Sequence, residues 1–147
     1  MRKIVIASDH AGFRLKELLK SELLKLNFNV DDKGTFTEES VDYPDFAHKL
    51  AFDVNTGIAD IGIVICGSGN GVNMTVNKYE NIRSALCWNE EIAKLARLHN
   101  DANVIALPAR FISDDTAKKC LEIFLNTEFE GGRHLQRVKK IPIKRNE

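Results

Sequence analysis

The sequence predicts an α/β fold: a doubly wound three-layer sandwich built on a parallel sheet of about five strands. Short β-branched runs alternate with segments of helical periodicity along the whole chain. The length of 147 residues, 44% of them apolar, suffices for one buried core. One apolar run also leads directly into a glycine-rich turn, as at the carboxyl edge of a Rossmann-like sheet. We therefore expect a single domain over residues 1–147.

The first half of the chain contains three predicted strands and two predicted helices. Residues 4–7 form a short β-branched strand, and apolar residues then recur at helical spacing over 13–26. A second strand is expected at 28–30. The proline of Asp42-Tyr43-Pro44 is typical of a first helical turn, and the helix continues to Val54. The third strand occupies 61–66.

The second half repeats the same alternation. A helix follows the glycine-rich turn and reaches about Lys78, and the fourth strand is expected at 84–87. The next helix covers 90–97. The fifth strand occupies 104–107, and a long helix follows over 114–125.

Composition excludes several classes of function. Acidic and basic residues balance at 21 each, so no overall charge attracts nucleic acid or a membrane surface, although 133–145 is locally basic. Three cysteines without a spaced pair, and no apolar leader, predict a reducing, cytoplasmic setting. No apolar stretch approaches the roughly twenty residues that cross a bilayer.

Cys66 is the strongest candidate for a reactive group. It ends the apolar run 61–65 and is followed at once by a loop of glycines and small polar residues: Gly67, Ser68, Gly69, Asn70 and Gly71. Such a turn directs backbone N–H groups outward at a helix start, where they bind anions and favour thiolate over thiol. We therefore place the chemistry at this junction.

Other polar residues flank the strands. Asp9 and His10 follow the first strand, His99 and Asn100 precede the fifth, and Arg110 lies just beyond it. The ends of parallel strands share an edge, so we expect these groups to converge with Cys66. Two structural alternatives stay open: Asp9 caps the following helix, and Asn100 ends the preceding helix in a left-handed turn.

Three further residues are interpreted as structural. His48 lies in mid-helix without polar company, and Cys87 ends a strand but lacks a glycine loop. Cys120 falls on the apolar face of its helix, so both cysteines are expected to pack in the core.

A second anion site is predicted near the C-terminus. Gly131 and Gly132 precede Arg133, His134 and Arg137, and the two arginines share a face if this segment is helical. Guanidinium groups bind phosphate oxygens in pairs. The alternative is a solvated surface pair. Two anion sites in a small domain suggest a sugar phosphate as ligand.

Other classes of protein differ from this sequence at defining positions. A dinucleotide-binding loop requires a glycine, and a cysteine phosphatase an arginine, at the position of Val72. A thioredoxin-like role lacks a second cysteine close to Cys66. A non-catalytic sugar-phosphate sensor is the alternative, since it would keep the arginines without needing Cys66 or His99.

Five segments together resemble the type B ribose-5-phosphate isomerase family, which also contains galactose-6-phosphate and allose-6-phosphate isomerases. They are Ser8-Asp9-His10-Ala11-Gly12, Asp42-Tyr43-Pro44, Cys66-Gly67-Ser68-Gly69-Asn70-Gly71, His99-Asn100-Asp101-Ala102-Asn103 and Glu130-Gly131-Gly132-Arg133-His134. The resemblance covers nearly the full chain in order. Asn70 departs from it, because an apolar residue is common there, and this could adjust how the loop meets substrate.

The resemblance implies a cofactor-free and metal-free interconversion of ribose 5-phosphate and ribulose 5-phosphate through an enediolate, a step of the non-oxidative pentose phosphate pathway. It implies that Cys66 moves the proton between C2 and C1, that Ser68 and the loop N–H groups hold the developing oxyanion, and that His99 serves ring opening. Further residues would contact the substrate: Asp9, His10, Tyr43 and Asn100 at its hydroxyls, and Arg110, Arg133, His134 and Arg137 at its phosphate.

The resemblance also bears on assembly and specificity. Family sites form between two subunits, so a homodimer or a dimer of dimers is expected. The site residues are complete in one chain type, which favours a pentose phosphate, while allose 6-phosphate or galactose 6-phosphate remains the alternative.

Overall fold

The computed structural model describes residues 2–145, which form five strands and six helices. The strands are β1 (Lys3–Ser8), β2 (Asn29–Asp32), β3 (Ile61–Cys66), β4 (Ser84–Leu86) and β5 (Val104–Pro108). The helices are α1 (Phe13–Lys25), α2 (Tyr43–Asn55), α3 (Asn70–Val76), α4 (Glu90–Leu98), α5 (Asp114–Asn126) and α6 (Arg133–Val138). Within 2–145, no helix combines the length and apolarity needed to span a membrane.

The strands form one all-parallel sheet in the order β2-β1-β3-β5-β4. β3 lies at the centre, and its last residue, Cys66, pairs with Pro108 at the end of β5. Each strand is joined to the next through a helix, as parallel pairing requires. The predicted fold class is confirmed.

The sheet separates two apolar layers because alternate residues of a strand point to opposite faces. Ile4 and Ile6 belong to a core with the apolar sides of α1, α4 and α5. Val5 and Ala7 belong to a second core with α2 and α3. Helices therefore cover both faces, which confirms the predicted three-layer arrangement.

The clearest difference from the sequence-based bounds is at β2. The apolar pattern predicts a strand at 28–30, whereas the strand pairs with β1 from Asn29 to Asp32. Its last residues are aspartates whose carboxylates bind lysines: Asp31 binds Lys33, and Asp32 binds Lys16. An edge strand stabilised by ion pairs has no alternation of apolar and polar residues at its end. The predicted strand therefore stops two residues before the observed one.

Lys16 is a buried cation that hydrophobic periodicity does not reveal. Its side chain is 0% exposed, and its Nζ lies 2.6 Å from Asp32 Oδ2 and 2.7 Å from Glu17 Oε1. Lys20 also binds Asp32, at 2.8 Å. Burial would raise the pKa of Asp32, but the hydrogen bonds from Lys16, Lys20 and the Gly34 N–H outweigh it, so the net shift is downward. This network fastens α1 to the end of β2.

We expect Asp32→Ala to lower the free energy of unfolding by about 3 kcal/mol or more, because it leaves a buried ammonium without its closest partner. Asp114→Ala is the matched control: Arg14 and Asp114 are 65% and 45% exposed, so its loss should be below about 1 kcal/mol. Urea unfolding measures both. The pKa of Asp32 is lowered, so the carboxylate contributes to the free energy of unfolding above the ordinary value of 3.8. This contribution is lost as the pH falls further, and the stabilities of the wild type and Asp32→Ala should then converge. Equal losses in the two variants at neutral pH would contradict this role.

Candidate active site

Cys66 ends the central strand at the carboxyl edge of the sheet. The thiol-bearing residue is 4% exposed, and all six residues of β3 are buried. Neighbouring loops are fastened to this strand end: the Ala109 N–H donates to the Cys66 carbonyl at 2.9 Å, and the Asp9 N–H donates to the Ile65 carbonyl at 3.2 Å. The loops that follow β1, β3 and β5 therefore surround the thiol.

The glycine-rich loop turns the chain sharply from β3 into α3. Gly69 has φ 74°, and a Cβ there would lie 2.5 Å from Leu86 Cδ1, so only glycine fits. Ser68 Oγ accepts a hydrogen bond from the Asn70 N–H at 3.3 Å. Among residues 2–145, no acceptor takes the N–H groups of Ser68, Gly69 or Gly71. Helix α3 has only seven residues, so its dipole is small. We therefore interpret the backbone amides themselves as the groups available to bind an anion.

Asp9 and His10 lie beside this loop. Asp9 Oδ1 accepts the Gly12 N–H at 3.0 Å, but Gly12 is itself the N-cap of α1 and no side chain within residues 2–145 caps that helix. The contact orders the turn before α1, and the predicted capping alternative is wrong. The Val41 N–H donates to His10 Nδ1 at 3.1 Å. That bond places the proton of a neutral imidazole on Nε2, where it can donate to a ligand.

Tyr43 and Arg110 approach the glycines themselves. A Cβ on Gly71 would lie 2.5–2.9 Å from three atoms of the Tyr43 ring, and a Cβ on Gly67 would lie 3.2 Å from an Arg110 nitrogen. The Arg110 N–H also donates to the Gly67 carbonyl at 3.0 Å. Gly67 and Gly71 thus let an aromatic ring and a guanidinium pack directly on the loop.

A second cluster lies at the opposite, amino edge of the sheet. The rings of His99 and His134 stack with centroids 4.2 Å apart and an interplanar angle of 13°. Glu130 Oε2 lies 3.8 Å from His99 Nε2 and 3.7 Å from His134 Nε2. The Glu130 N–H donates to the Leu98 carbonyl at 3.1 Å, which fixes the segment before α6 against the end of α4.

Arg133 and Arg137 belong to α6, so they share a helical face as predicted. His134 lies between them and is buried. Burial lowers the pKa of His134, nearby His99, Arg133 and Arg137 lower it further, and Glu130 opposes the shift. His134 is therefore neutral at neutral pH, and the arginines carry the positive charge of this cluster.

Asn100 follows His99 and lines a cavity of about 600 Å³ together with residues of the C-terminal segment, among them Ile141 and Ile143. The left-handed residue after α4 is Asp101, with φ 48°, rather than Asn100. The expectation that Asn100 ends α4 in a left-handed turn is therefore wrong by one position. The turn does not account for the side-chain amide of Asn100, and its predicted contact with a ligand stays a prediction.

The expectation that His99 and Asn100 converge with Cys66 is wrong within a single chain. They precede β5, whose first residue, Val104, pairs with Gly62 at the start of β3, whereas Cys66 pairs with the last residue of β5. The length of β3 therefore separates the two clusters, about 16 Å at roughly 3.3 Å per residue. Helix α4 runs antiparallel to the strands and carries its C-terminal residues to the far edge.

His48, Cys87 and Cys120, which the sequence analysis interprets as structural, lie apart from both clusters. Cys87 and Cys120 are fully buried, and burial raises the pKa of Cys87 to about 12 and that of Cys120 to about 11. His48 Nδ1 lies 2.6 Å from the Tyr79 hydroxyl, away from both clusters. Glu130 is the residue that sequence reasoning missed; its spacing of four from His134 was the available signal.

Comparison with known proteins shows which family this chain belongs to. The sequence model described as Ribose/Galactose Isomerase matches residues 4–141. The chain belongs to the ribose/galactose isomerase family. Ribose-5-phosphate isomerase B of Escherichia coli K12, a relative in this family, is 41% identical over 141 residues, which are 96% of this chain and 95% of the relative.

Solved structures of other relatives share the fold over nearly the whole chain. A ribose 5-phosphate isomerase from Thermotoga maritima is 48% identical with a TM-score of 0.94, covering 96% of this chain and 97% of that one. Ribose-5-phosphate isomerase B from Mycoplasma genitalium, solved with bound ribulose-5-phosphate, is 44% identical with a TM-score of 0.91, covering 95% and 93%. The family assignment therefore rests on sequence and architecture together.

The contact between Gly71 and Tyr43 can be tested by a double-mutant cycle. We expect Gly71→Ala to cost about 1–3 kcal/mol of unfolding free energy, because the new Cβ overlaps the ring. In a Tyr43→Ala background the same change should cost nothing or stabilise α3, where alanine is the better helix former. Urea denaturation of the four proteins measures the coupling. An equal cost in both backgrounds would show that the ring is not packed on Gly71.

Proposed function

We propose that this chain is an aldose–ketose isomerase that interconverts D-ribose 5-phosphate and D-ribulose 5-phosphate. The observation that carries the proposal is the position of Cys66: a thiol at the buried end of the central strand, beside a loop with unused backbone N–H groups. The choice of substrate is supported by the Mycoplasma genitalium relative that binds ribulose-5-phosphate. The reaction needs only proton transfers, which these side chains can perform.

Cys66 is proposed to move the carbon-bound proton. As a thiolate it takes the proton from C2 of the open-chain aldose, and the resulting enediolate accepts that proton at C1. The hydroxyl proton passes from O2 to O1 in the same step, so atoms and charge balance. Tyr43, packed on Gly71, closes one side of the site around the reacting carbons.

The glycine-rich loop is proposed to stabilise the enediolate. Its N–H groups without a protein acceptor and the Ser68 hydroxyl are proposed to bind the oxygen on which negative charge develops. Fixed donors of this kind supply a large part of the stabilisation of an oxyanion, because they need no reorganisation during the reaction. The Arg110 guanidinium, packed on Gly67, lies at this edge and not with Arg133 and Arg137 of its own chain. We propose that it meets the phosphate held by those two arginines of a second copy.

His99 is proposed to open the furanose ring by moving a proton between the anomeric hydroxyl and the ring oxygen. An imidazole serves this role because it exchanges protons near neutral pH. Arg133, His134 and Arg137 surround the same edge and are proposed to bind the phosphate, as two guanidinium groups can hold its oxygens together. Asp9, His10 and Asn100 are left for the sugar hydroxyls.

These roles require two chains. A general acid must lie within about 3 Å of the atom it protonates, whereas His99 and Cys66 of one chain lie at opposite edges of the sheet. We therefore propose a homodimer in which the carboxyl edge of one copy meets the amino edge of the other. Exposed aromatic residues support a covered surface at the carboxyl edge, since Trp88 follows β4 and Phe111 follows β5.

The proposed function predicts that the purified protein converts ribose 5-phosphate to ribulose 5-phosphate in excess chelator. Cys66→Ala should reduce kcat by about 100- to 10,000-fold, because it removes the group that transfers the carbon-bound proton. Cys120→Ala, a change in the core away from the site, should keep kcat near the wild-type value per folded protein. A folded but inactive wild type would overturn the substrate, and an active Cys66→Ala protein would overturn the role of the thiol.

The shared site predicts complementation between inactive variants. Cys66→Ala and His99→Asn, refolded together in equal amounts, should recover about a quarter of the wild-type activity, because half of the dimers are mixed and each mixed dimer contains one intact site. Cys66→Ala mixed with Ser68→Ala is the control, since both changes lie at the same edge and no intact site can form. Recovery absent from the first mixture, or present in the second, would contradict the proposed arrangement.

A further inference from the structure

We propose that His99, Glu130 and His134 form a binding site for a divalent transition metal of the zinc type, and that its occupation inhibits the isomerase. Each of the three residues offers one ligand atom, and these atoms all lie within 4.8 Å of one another. The binding half of this proposal stands on geometry alone. The inhibitory half rests on the proposed role of His99 in ring opening.

The distances suit a small tetrahedral ion. Ligands about 2.0–2.2 Å from a tetrahedral zinc lie about 3.3–3.5 Å from each other. The Glu130 Oε2 atom lies 3.8 Å from His99 Nε2 and 3.7 Å from His134 Nε2, so contraction by a few tenths of an ångström brings these two pairs into range. The two imidazole nitrogens lie within 4.8 Å of each other and must also close to about 3.5 Å. Two imidazoles and one carboxylate also match the preference of zinc for nitrogen and oxygen donors.

His134 supplies an independent sign that a ligand belongs here. Its side chain is only 7% exposed, and Nε2 is buried without a hydrogen-bond partner among the described residues. An unpartnered buried nitrogen costs free energy, which either a bound ion or the phosphate proposed above would remove.

Two features limit the affinity. The imidazole planes are nearly parallel, at 13°, so the half-exposed His99 ring must tilt to direct its lone pair at an ion shared with His134. The guanidinium groups of Arg133 and Arg137 also repel a cation. Glu130, 56% exposed and able to move, provides the compensating negative charge. These terms describe a reversible site rather than a permanent structural one.

Metal binding and catalysis would compete for the same atoms. An ion bound to His99 occupies the imidazole that is proposed to move the ring-opening proton. The fourth tetrahedral position remains for water or for a phosphate oxygen. Inhibition should therefore be reversed by a chelator and should require Glu130, which the proposed reaction does not otherwise use.

Binding is measured first, in Cys66→Ala protein stripped of metal, because a free thiol can bind zinc independently of the proposed site. Calorimetric titration with zinc chloride should show one ion per chain. Glu130→Gln should weaken binding on the order of tenfold or more, since even outer-shell partners of metal sites cost that much. Glu128→Gln, a change at an exposed carboxylate two residues earlier, is the matched control and should bind like its parent.

Cobalt(II) provides a spectroscopic test of the ligands. Tetrahedral nitrogen and oxygen coordination should give visible absorption without the near-ultraviolet charge-transfer band of a thiolate, and Glu130→Gln should lose it. Absence of saturable zinc binding, equal affinity in Glu130→Gln and its parent, or a thiolate band would overturn the site.

Activity is then measured on protein with its native Cys66. Zinc should inhibit conversion of ribose 5-phosphate, excess chelator should restore it, and Glu130→Gln should raise the inhibitory concentration by the same factor as the dissociation constant. Zinc bound at this site without loss of activity would overturn the inhibition. Protein that binds zinc through Glu130 but does not isomerise ribose 5-phosphate would overturn the proposed function and leave the metal site standing.

Discussion

The parallel pairing of β3 between β1 and β5 is the constraint on which the rest of the structure depends. It sends three strand ends to one edge, so the loops that begin at Asp9, Gly67 and Ala109 meet around Cys66. The same pairing forces every connecting helix to run back across the sheet. Helices α4 and α5 therefore deliver the residues that follow them to the far edge, where His99 and the α6 arginines lie.

This division explains how one small chain carries two different kinds of chemistry. The carboxyl edge combines a buried thiol with fixed backbone donors, which suits formation and stabilisation of an oxyanion. The amino edge combines imidazoles with guanidinium groups, which suits proton exchange and phosphate binding. Each set is built by rigid elements of one domain. Neither is a complete site for a single substrate, and this is why the proposed function includes a second copy of the chain.

Much of the fold was predictable because local pattern and tertiary environment agree. The run 61–66 is apolar at every position, and β3 is buried on both faces, as the central strand of a parallel sheet must be. The stripe of Ala117, Leu121 and Phe124 likewise faces the core. Prediction failed where polar groups pair: β2 ends in aspartates bound to lysines, and Lys16 is buried at a position that looks like surface. Ion pairs of this kind depend on distant residues and leave no periodic trace.

The sequence by itself determined the parallel fold, the position of Cys66 before the glycine-rich turn and, through five ordered segments, the resemblance to a sugar-phosphate isomerase family. Local periodicity and glycine placement are sufficient for these, because they express short-range preferences of the backbone. Only the tertiary structure decided which candidate residues meet. Chain order places His99, which precedes β5, at the edge opposite Cys66, which ends β3, but it does not show which residues of other elements lie beside either one. The sequence also does not show that the Glu130 carboxylate lies beside two imidazoles, because α4 and α6 bring His99 and His134 together only in the folded chain.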